Sequence, residues 1–469
     1  MSYIVVDNFA AGLDTRKSPL TSVAGTLMVL ENCVVSPGGE IEKRKAFVAV
    51  ANLTGTFGLA ATENTLYVFT RNVDPAGLSV PDDAAGTDIV VQKIPNGSPT
   101  LQQFDYDTFD GKIYLVCGDE AGGTAAAKNP HYYNAVLTQG AGKGYYIRTY
   151  QSKIYAVLGK YLNFSAVDDP MNWTTGTGAG FINLSLQDAD SELLTSIEVY
   201  YDKLAIFSSE AIQIWAVDPD PAQNTYEQLL RGGGTTSPRG TQQYGSGDIL
   251  FLSTSGIRSV KARDASNSAA VSDIGSPVDR ETQAIRVSQA EDYVNSAFAV
   301  LEPIVGRFWM IYPNEIYVLS YFPGPKITAW SHFTLPFTVD EAVTCNGKVF
   351  LRSGNVLYAY GGESGNVYDT CHPRVRMPYL DAKKPGHRKM MEGLDATISG
   401  SWTVKVSYDF ANPDNEETVA TITQSTWNDG RLELQGFASH FSLRFYNDDA
   451  NFASISNMAV HFKMAEDED

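Results

Sequence analysis

Cysteine is scarce: Cys33, Cys117, Cys345 and Cys371 lie far apart with no Cys-x-x-Cys pair. Neither zinc-ligand spacing nor a disulfide framework is indicated, and buried free thiols made in a reducing cytoplasm are expected. The six histidines, at 131, 332, 372, 387, 440 and 461, include no His-Glu-x-x-His and no close pair, so a metallohydrolase site has no local support. There is no Gly-x-Ser-x-Gly elbow, and no cysteine stands beside a convincing base, so nucleophilic catalysis lacks its signature. No apolar run approaches the roughly 20 residues that span a bilayer. The start, Met1-Ser-Tyr-Ile-Val-Val-Asp7, lacks a basic n-region and a long apolar core, and the chain reads as soluble and unsecreted. Basic charge is also short. Lys and Arg total 35 against 54 Asp and Glu, net −19, which argues against a surface that grips nucleic acid phosphates. Any contact with DNA is expected to be non-adhesive. The one true acidic run is Glu466-Asp-Glu-Asp469, which reads as a solvated end.

What is abundant is material for strands. Of the 469 residues 43% are hydrophobic, with 25 Tyr and 22 Phe, and wholesale disorder is excluded. Helical periodicity is hard to find, whereas seven runs share one shape, a polar turn followed by apolar-aromatic residues. They are Thr65–Phe69, Lys112–Val116, Lys153–Val157, Lys203–Phe207, Asp248–Leu252, Arg307–Ile311 and Lys348–Arg352, with starts 41 to 59 residues apart. Most are followed by a second strand after a short turn, as at Tyr161–Phe164, Ile212–Ala216 and Val356–Tyr360. A strand-only repeat of this length predicts the blades of a β-propeller, about six to seven of them, each completing its core against its neighbours. Stacked sandwiches are the competing architecture.

The chain therefore reads as all-β in three parts. Residues 51–380 form the propeller. Residues 381–469, after a Pro- and Gly-broken basic stretch, form a small C-terminal β-sandwich with an acidic tail. Residues 1–50 either close the ring or dock a partner. In this last segment Thr26–Asn32 is the only plausible short helix. Arg16, Lys17, Lys43, Arg44 and Lys45 form the densest basic group in the chain and are the candidate partner contacts.

Other polar groupings read as structure. Gly176–Gly180 and Gly232–Gly234 lack the Lys-Ser/Thr ending and the strand-helix setting of a phosphate loop, and are expected to be flexible surface loops. Asp105, Asp107 and Asp110-Gly111 miss calcium-loop spacing and are expected to form a polar turn. Trp215, Trp309 and Trp330 lie in strand runs and are expected in the core. Asp168-Asp169 and Asp218 with Asp220 sit beside Pro in turn-like sequence, not as a glycosidase pair. No catalytic residue, metal ligand or cofactor is assigned.

Particular stretches are similar to known proteins. Asp7-Asn-Phe-Ala-Ala-Gly-Leu-Asp-Thr-Arg-Lys17 and Pro37-Gly-Gly-Glu-Ile-Glu-Lys-Arg-Lys45 resemble virion structural proteins of tailed bacteriophages. So do Phe164–Trp173, Ile212–Pro221, Phe251–Arg258 and Tyr321–Trp330, and the likeness covers most of residues 5–380. The family resembled is the tail tubular or nozzle (hub) protein of short-tailed phages. The resemblance implies a non-enzymatic subunit of the virion tail, made in the host bacterial cytoplasm. Its copies, typically six, would form a cyclic ring below the portal-adaptor protein, touch tail fibre or needle proteins, and surround the path of ejected DNA, whose passage would be transient and non-adhesive, without membrane insertion. The alternative is a carbohydrate-binding or carbohydrate-cleaving tail protein on the same fold.

Overall fold

A computed structural model describes residues 2–71, 87–95, 101–119, 131–142, 144–188, 193–266 and 273–464. The architecture is all-β. Seven sheets follow one another along the chain, each opened by an antiparallel hairpin. Their opening strands are Thr56–Ala61, Leu101–Phe109, Tyr146–Tyr150, Leu194–Tyr200, Thr241–Gln243, Phe298–Leu301 and Glu341–Cys345. Each opening strand touches the next in this series, and the strand of the seventh sheet touches that of the first.

The seven runs legible in the sequence are the second strands: Thr65–Thr70, Lys112–Asp119, Lys153–Leu158, Lys203–Ser208, Ile249–Ser253, Phe308–Ile311 and Lys348–Ser353. A second strand is paired on both edges and covered on both faces, so it is apolar along its length. In Lys153–Leu158, Ile154, Tyr155, Ala156 and Val157 are all inaccessible to solvent. The hairpins into three of these strands turn on two successive left-handed residues: Asp110-Gly111, Gln151-Ser152 and Asn346-Gly347. That backbone matches the twist of the flanking strands. Between sheets, aromatic side chains interdigitate. Buried Trp309 sits edge-on to Tyr360 at 4.8 Å, Phe333 at 5.7 Å and Phe47 at 6.2 Å, which ties the sixth sheet to the seventh. Each such pair contributes about 0.5–1.5 kcal/mol beyond area burial.

The chain ends do not form separate units. Phe47–Asn52 pairs with Val356–Tyr360 as the outermost strand of the seventh sheet, some three hundred positions away in sequence. Ser2–Val6 and Ile41–Lys43 both pair with Ser454–Met464. Val29–Glu31 bridges Ile327–Thr334 of the sixth sheet to Arg374–Arg376, and the sheet continues through Ser442–Tyr446, Trp402–Ser407 and Glu417–Ile422. One core thus runs from Val6, Phe9 and Leu13 through Phe308 and Trp330 to Trp402, Phe445 and Phe462.

Three expectations are corrected. Thr26–Asn32 is not a helix: Thr26–Leu27 and Val29–Glu31 are strands, because pairing with Gly12–Leu13 and Arg374–Arg376 outweighs the weak preference of so short a segment. Residue 381 is no break in the core, since the 381–469 strands share it with residues 2–43 and with the sixth sheet. Gly233 and Gly234 are buried instead of forming a flexible surface loop. A Cβ on Gly234 would stand 2.1 Å from the Ser208 carbonyl oxygen. Helices do occur at Val260–Ser266, Asp279–Ser288 and Glu291–Asn295, between the fifth and sixth sheets. No helix among the described residues is long and apolar enough to cross a membrane. The acidic run 466–469 lies outside the described residues.

Candidate functional site

Where opening strands of successive sheets converge, they enclose a cavity of about 490 Å³. Its charged lining comes from Asp105 and Asp107 on Leu101–Phe109, Arg148 on Tyr146–Tyr150, Glu198 on Leu194–Tyr200, Arg239 before Thr241–Gln243, and Glu341 on Glu341–Cys345. Asp105 and Asp107 therefore do not belong to a polar turn. They lie on the strand, two apart and so on one face, and only Asp110-Gly111 makes the turn.

The placement has a physical reason. An opening strand pairs with its own second strand on one edge only, and its other edge carries buried amides that need acceptors. The carboxylates supply them across the gap between sheets. Asp105 Oδ2 accepts from the Ile147 amide at 2.9 Å, Asp107 Oδ2 from Thr149 at 2.6 Å, and Glu341 Oε2 from Leu59 at 2.8 Å. The cations join the same groups. Arg148 donates to Glu198 Oε1 at 2.6 and 3.0 Å and to Asp105 Oδ2 at 3.3 Å, and Arg239 donates to Glu341 Oε1 at 2.7 Å. Ser196 and Thr241 share a hydroxyl contact of 2.7 Å between the fourth and fifth sheets. The Ala299 amide donates to the Arg239 carbonyl at 2.8 Å, between the fifth and sixth.

Burial sets the electrostatics here. It pushes the Asp107 carboxyl up to about 6, against the pull of Arg148 and of two backbone amides. It also raises Asp105 and Glu341, opposed in turn by Arg148 and by Arg239 with Arg352. Burial would lower Arg148, but Glu198 and Asp105 outweigh it and the guanidinium is held charged. Chemically, the arrangement binds sheets to one another. Each of the six charged groups already holds a partner from a different sheet. Among the described residues no group of three or more His, Cys, Asp or Glu side chains is arranged to hold a metal ion.

The basic residues singled out in the N-terminal segment divide into two sets. Lys43 and Arg44 are buried and serve the fold, which corrects their reading as partner contacts. Lys43 Nζ donates to Asn447 Oδ1 at 3.1 Å and to the Asp449 carbonyl. Arg44 donates to Asn32 Oδ1 at 3.1 Å, to the Lys45 carbonyl at 2.8 Å and to Asp369 at 3.3 Å. Arg16 and Lys17 stay on the surface around buried Asp14, at 3.2 and 3.3 Å, with Arg16 also on Ser276 at 2.8 Å. Lys45 is half-buried, its amide bonded to the Tyr360 hydroxyl at 3.2 Å. The structure does not bring the five together as one exposed patch.

Other expectations hold. The four cysteines are buried and free. Trp215, Trp309 and Trp330 are core residues. Asp168 is left-handed in a turn, Asp218 Oδ1 accepts from the Asp220 amide at 2.8 Å, and Asp220 caps the short helix Pro221–Gln223. Sequence reasoning missed Arg148, Glu198, Arg239 and Glu341. The available signal was a charged residue inside the strand-like segment preceding an apolar run, at Arg148, Glu198 and Glu341, or just before it, at Arg239.

No family model matches the chain, and no curated protein matches it in sequence. Among solved structures, an extracellular domain ascribed to a one-component system of B. thetaiotaomicron is 9% identical, over 80% of this chain and 47% of its own, with a TM-score of 0.40. An extracellular domain ascribed to a hybrid two-component system of the same organism is 12% identical over 86% and 51%, with a TM-score of 0.35. The exo-β-1,3-galactanase of Phanerochaete chrysosporium is 11% identical over 74% of this chain and 100% of its own, at 0.27. The chain spans about half the length of the first two. All three scores lie below 0.5, and the likenesses carry no argument about fold or function.

Proposed function

We propose that the seven sheets are the blades of a seven-bladed β-propeller and that the chain is a structural subunit of a short phage tail. In this reading, copies ring the conduit through which DNA leaves the particle. The supporting observation is the central cavity, where every charged side chain is spent on joining one sheet to another. A subunit built this way is stiff, and its cavity has no uncommitted acid and base pair. A cavity of about 490 Å³ suits a small molecule and not a duplex, so the DNA path runs between copies and not through any one of them. The phage assignment itself rests on the sequence resemblance of residues 5–380. The net charge of −19 fits a conduit that must not bind phosphate.

The test is symmetry-averaged electron microscopy of particles carrying a label on this chain, with a depolymerisation assay on host polysaccharide using the purified protein. Labelled copies in a closed ring below the portal-adaptor, with no turnover, are expected. Absence from the particle, or turnover abolished by a single carboxylate substitution, refutes the proposal and favours the carbohydrate reading.

A further inference from the structure

Three lysines among the described residues are buried: Lys43, Lys153 and Lys389. Lys389 Nζ donates to the carbonyls of Lys384, His387 and Ser439 at 2.8, 2.9 and 2.8 Å. Lys153 Nζ donates to the Gly178 carbonyl at 2.8 Å and lies 4.9 Å from the centre of the Phe164 ring. Both hold backbone in place. Lys43 differs in what it faces, since its Nζ is 3.1 Å from Oδ1 of the Asn447 side-chain amide, 404 positions away in sequence. Lys43 is 2% and Asn447 1% exposed. An amine held against a carboxamide, out of water, is the reactant pair for an amide exchange that joins the two side chains.

Both groups are fixed from several sides. Lys43 ends the strand Ile41–Lys43, stands opposite Cys33, and gives its backbone amide to the Ala453 carbonyl at 2.9 Å. Asn447 follows Ser442–Tyr446 and gives its backbone amide to the Pro373 carbonyl at 3.2 Å. Its Nδ2 donates to the Ser401 carbonyl at 2.6 Å, which orients the carboxamide with its oxygen toward Lys43. Fixed geometry supplies the advantage that so slow an exchange lacks in solution. The charge balance points the same way. The hydrogen-bond partners of Lys43 Nζ, Asn447 Oδ1 and the Asp449 carbonyl, are both neutral, and a buried ammonium without a charged partner is costly. Burial lowers Lys43 from its ordinary value, opposed by Cys371 and Asp369, and so favours the neutral amine that attack requires. Burial also pushes the Cys371 thiol up to about 11, against Arg44 and Lys43, which leaves it protonated and not a competing nucleophile. Asp369, paired with Arg44 at 3.3 Å and 40% exposed, opens this group to solvent.

We infer that Lys43 and Asn447 form an intramolecular isopeptide bond, which ties the N-terminal segment to the C-terminal strands covalently. The inference is independent of the tail reading. The Lys43 ammonium gives one proton to water by way of Asp369, and the neutral Nζ attacks Asn447 Cγ. The new Cγ–Nζ bond forms as the Cγ–Nδ2 bond breaks, and a second Nζ proton moves to Nδ2, which leaves as ammonia. In water the ammonia takes up the first proton, and no electrons are exchanged. The experiment is intact-mass spectrometry of the full chain, unfolded before measurement, followed by peptide mapping. Expected for the wild type is a mass below that of its sequence by one ammonia, with a branched peptide that joins the Lys43 and Asn447 segments. Lys43→Arg and Asn447→Ala should each show the full mass of their own sequences. A wild type of full sequence mass overturns the inference. So does a deficit of one ammonia with Lys43 and Asn447 recovered in separate peptides, the result of cyclisation at another asparagine such as that of Asn346-Gly347. The wild-type map decides the question even where a variant fails to fold.

Discussion

Replacing Arg148 with Leu tests whether the central cavity is a structural joint. The guanidinium is about one-fifth exposed and bonds Glu198 on the fourth sheet and Asp105 on the second, both almost fully buried. Removing one member of a buried ion pair costs about 3–5 kcal/mol, because the remaining charge is left without a partner. Two carboxylates are stranded here, but the residual solvent access lets some water in, and a loss of about 3–5 kcal/mol in urea unfolding is expected. A second signature distinguishes this from lost packing. Asp105 and Asp107 are already pushed up by burial, and Arg148 is what holds them down, so both rise further in the variant. A carboxyl whose folded value lies above its unfolded value contributes stability that is complete below the unfolded value and lost as pH rises through the folded one. The deficit of Arg148→Leu should therefore be larger at pH 8 than at pH 5. Arg148→Leu combined with Glu198→Gln should recover part of the loss, as expected of coupled groups. A deficit under about 1 kcal/mol, or one that is equal at the two pH values, would refute the reasoning, since an exposed and uncoupled pair gives that result.

Three more outcomes follow from the same structure. In the wild type, Asp107 sits at about 6 against roughly 3.9 in the unfolded chain, so stability should fall by about 2–3 kcal/mol from pH 4 to pH 8 on its account. Asp107→Asn should flatten that part of the pH profile of urea midpoints. Gly234→Ala should destabilise by about 1–3 kcal/mol or more, because its Cβ would meet the Ser208 carbonyl at 2.1 Å, and an unchanged thermal midpoint would show that the segment relaxes freely. Lys43→Glu should impair folding of the isolated chain, since a buried ammonium is replaced by a carboxylate facing the Asp449 carbonyl, whereas Lys17→Glu should leave the far-ultraviolet spectrum and the thermal midpoint near wild type.

The sequence by itself determined the all-β class and the position of the second strand in each of the seven successive sheets. Those strands are covered on both faces, so burial is written into them directly as unbroken apolar and aromatic residues such as Ile154-Tyr-Ala-Val157. The buried state of Cys117 and Trp309, both on second strands, follows from the same rule. Other features were decided only by the tertiary structure. Asp105, Arg148, Glu198 and Glu341 look like surface charges in sequence, because their partners are amides and ions of other sheets some 40 to 280 positions away. Lys43 and Arg44 read as an exposed basic cluster for the same reason, since Asn447, Asp449 and Asp369 reach them only after folding. The pairing of Ser2–Val6 with Ser454–Met464 is the extreme case. Periodicity records which face of a strand is buried, but it carries no information about which distant strand lies beside its edge, and that choice fell to the packing of the whole chain.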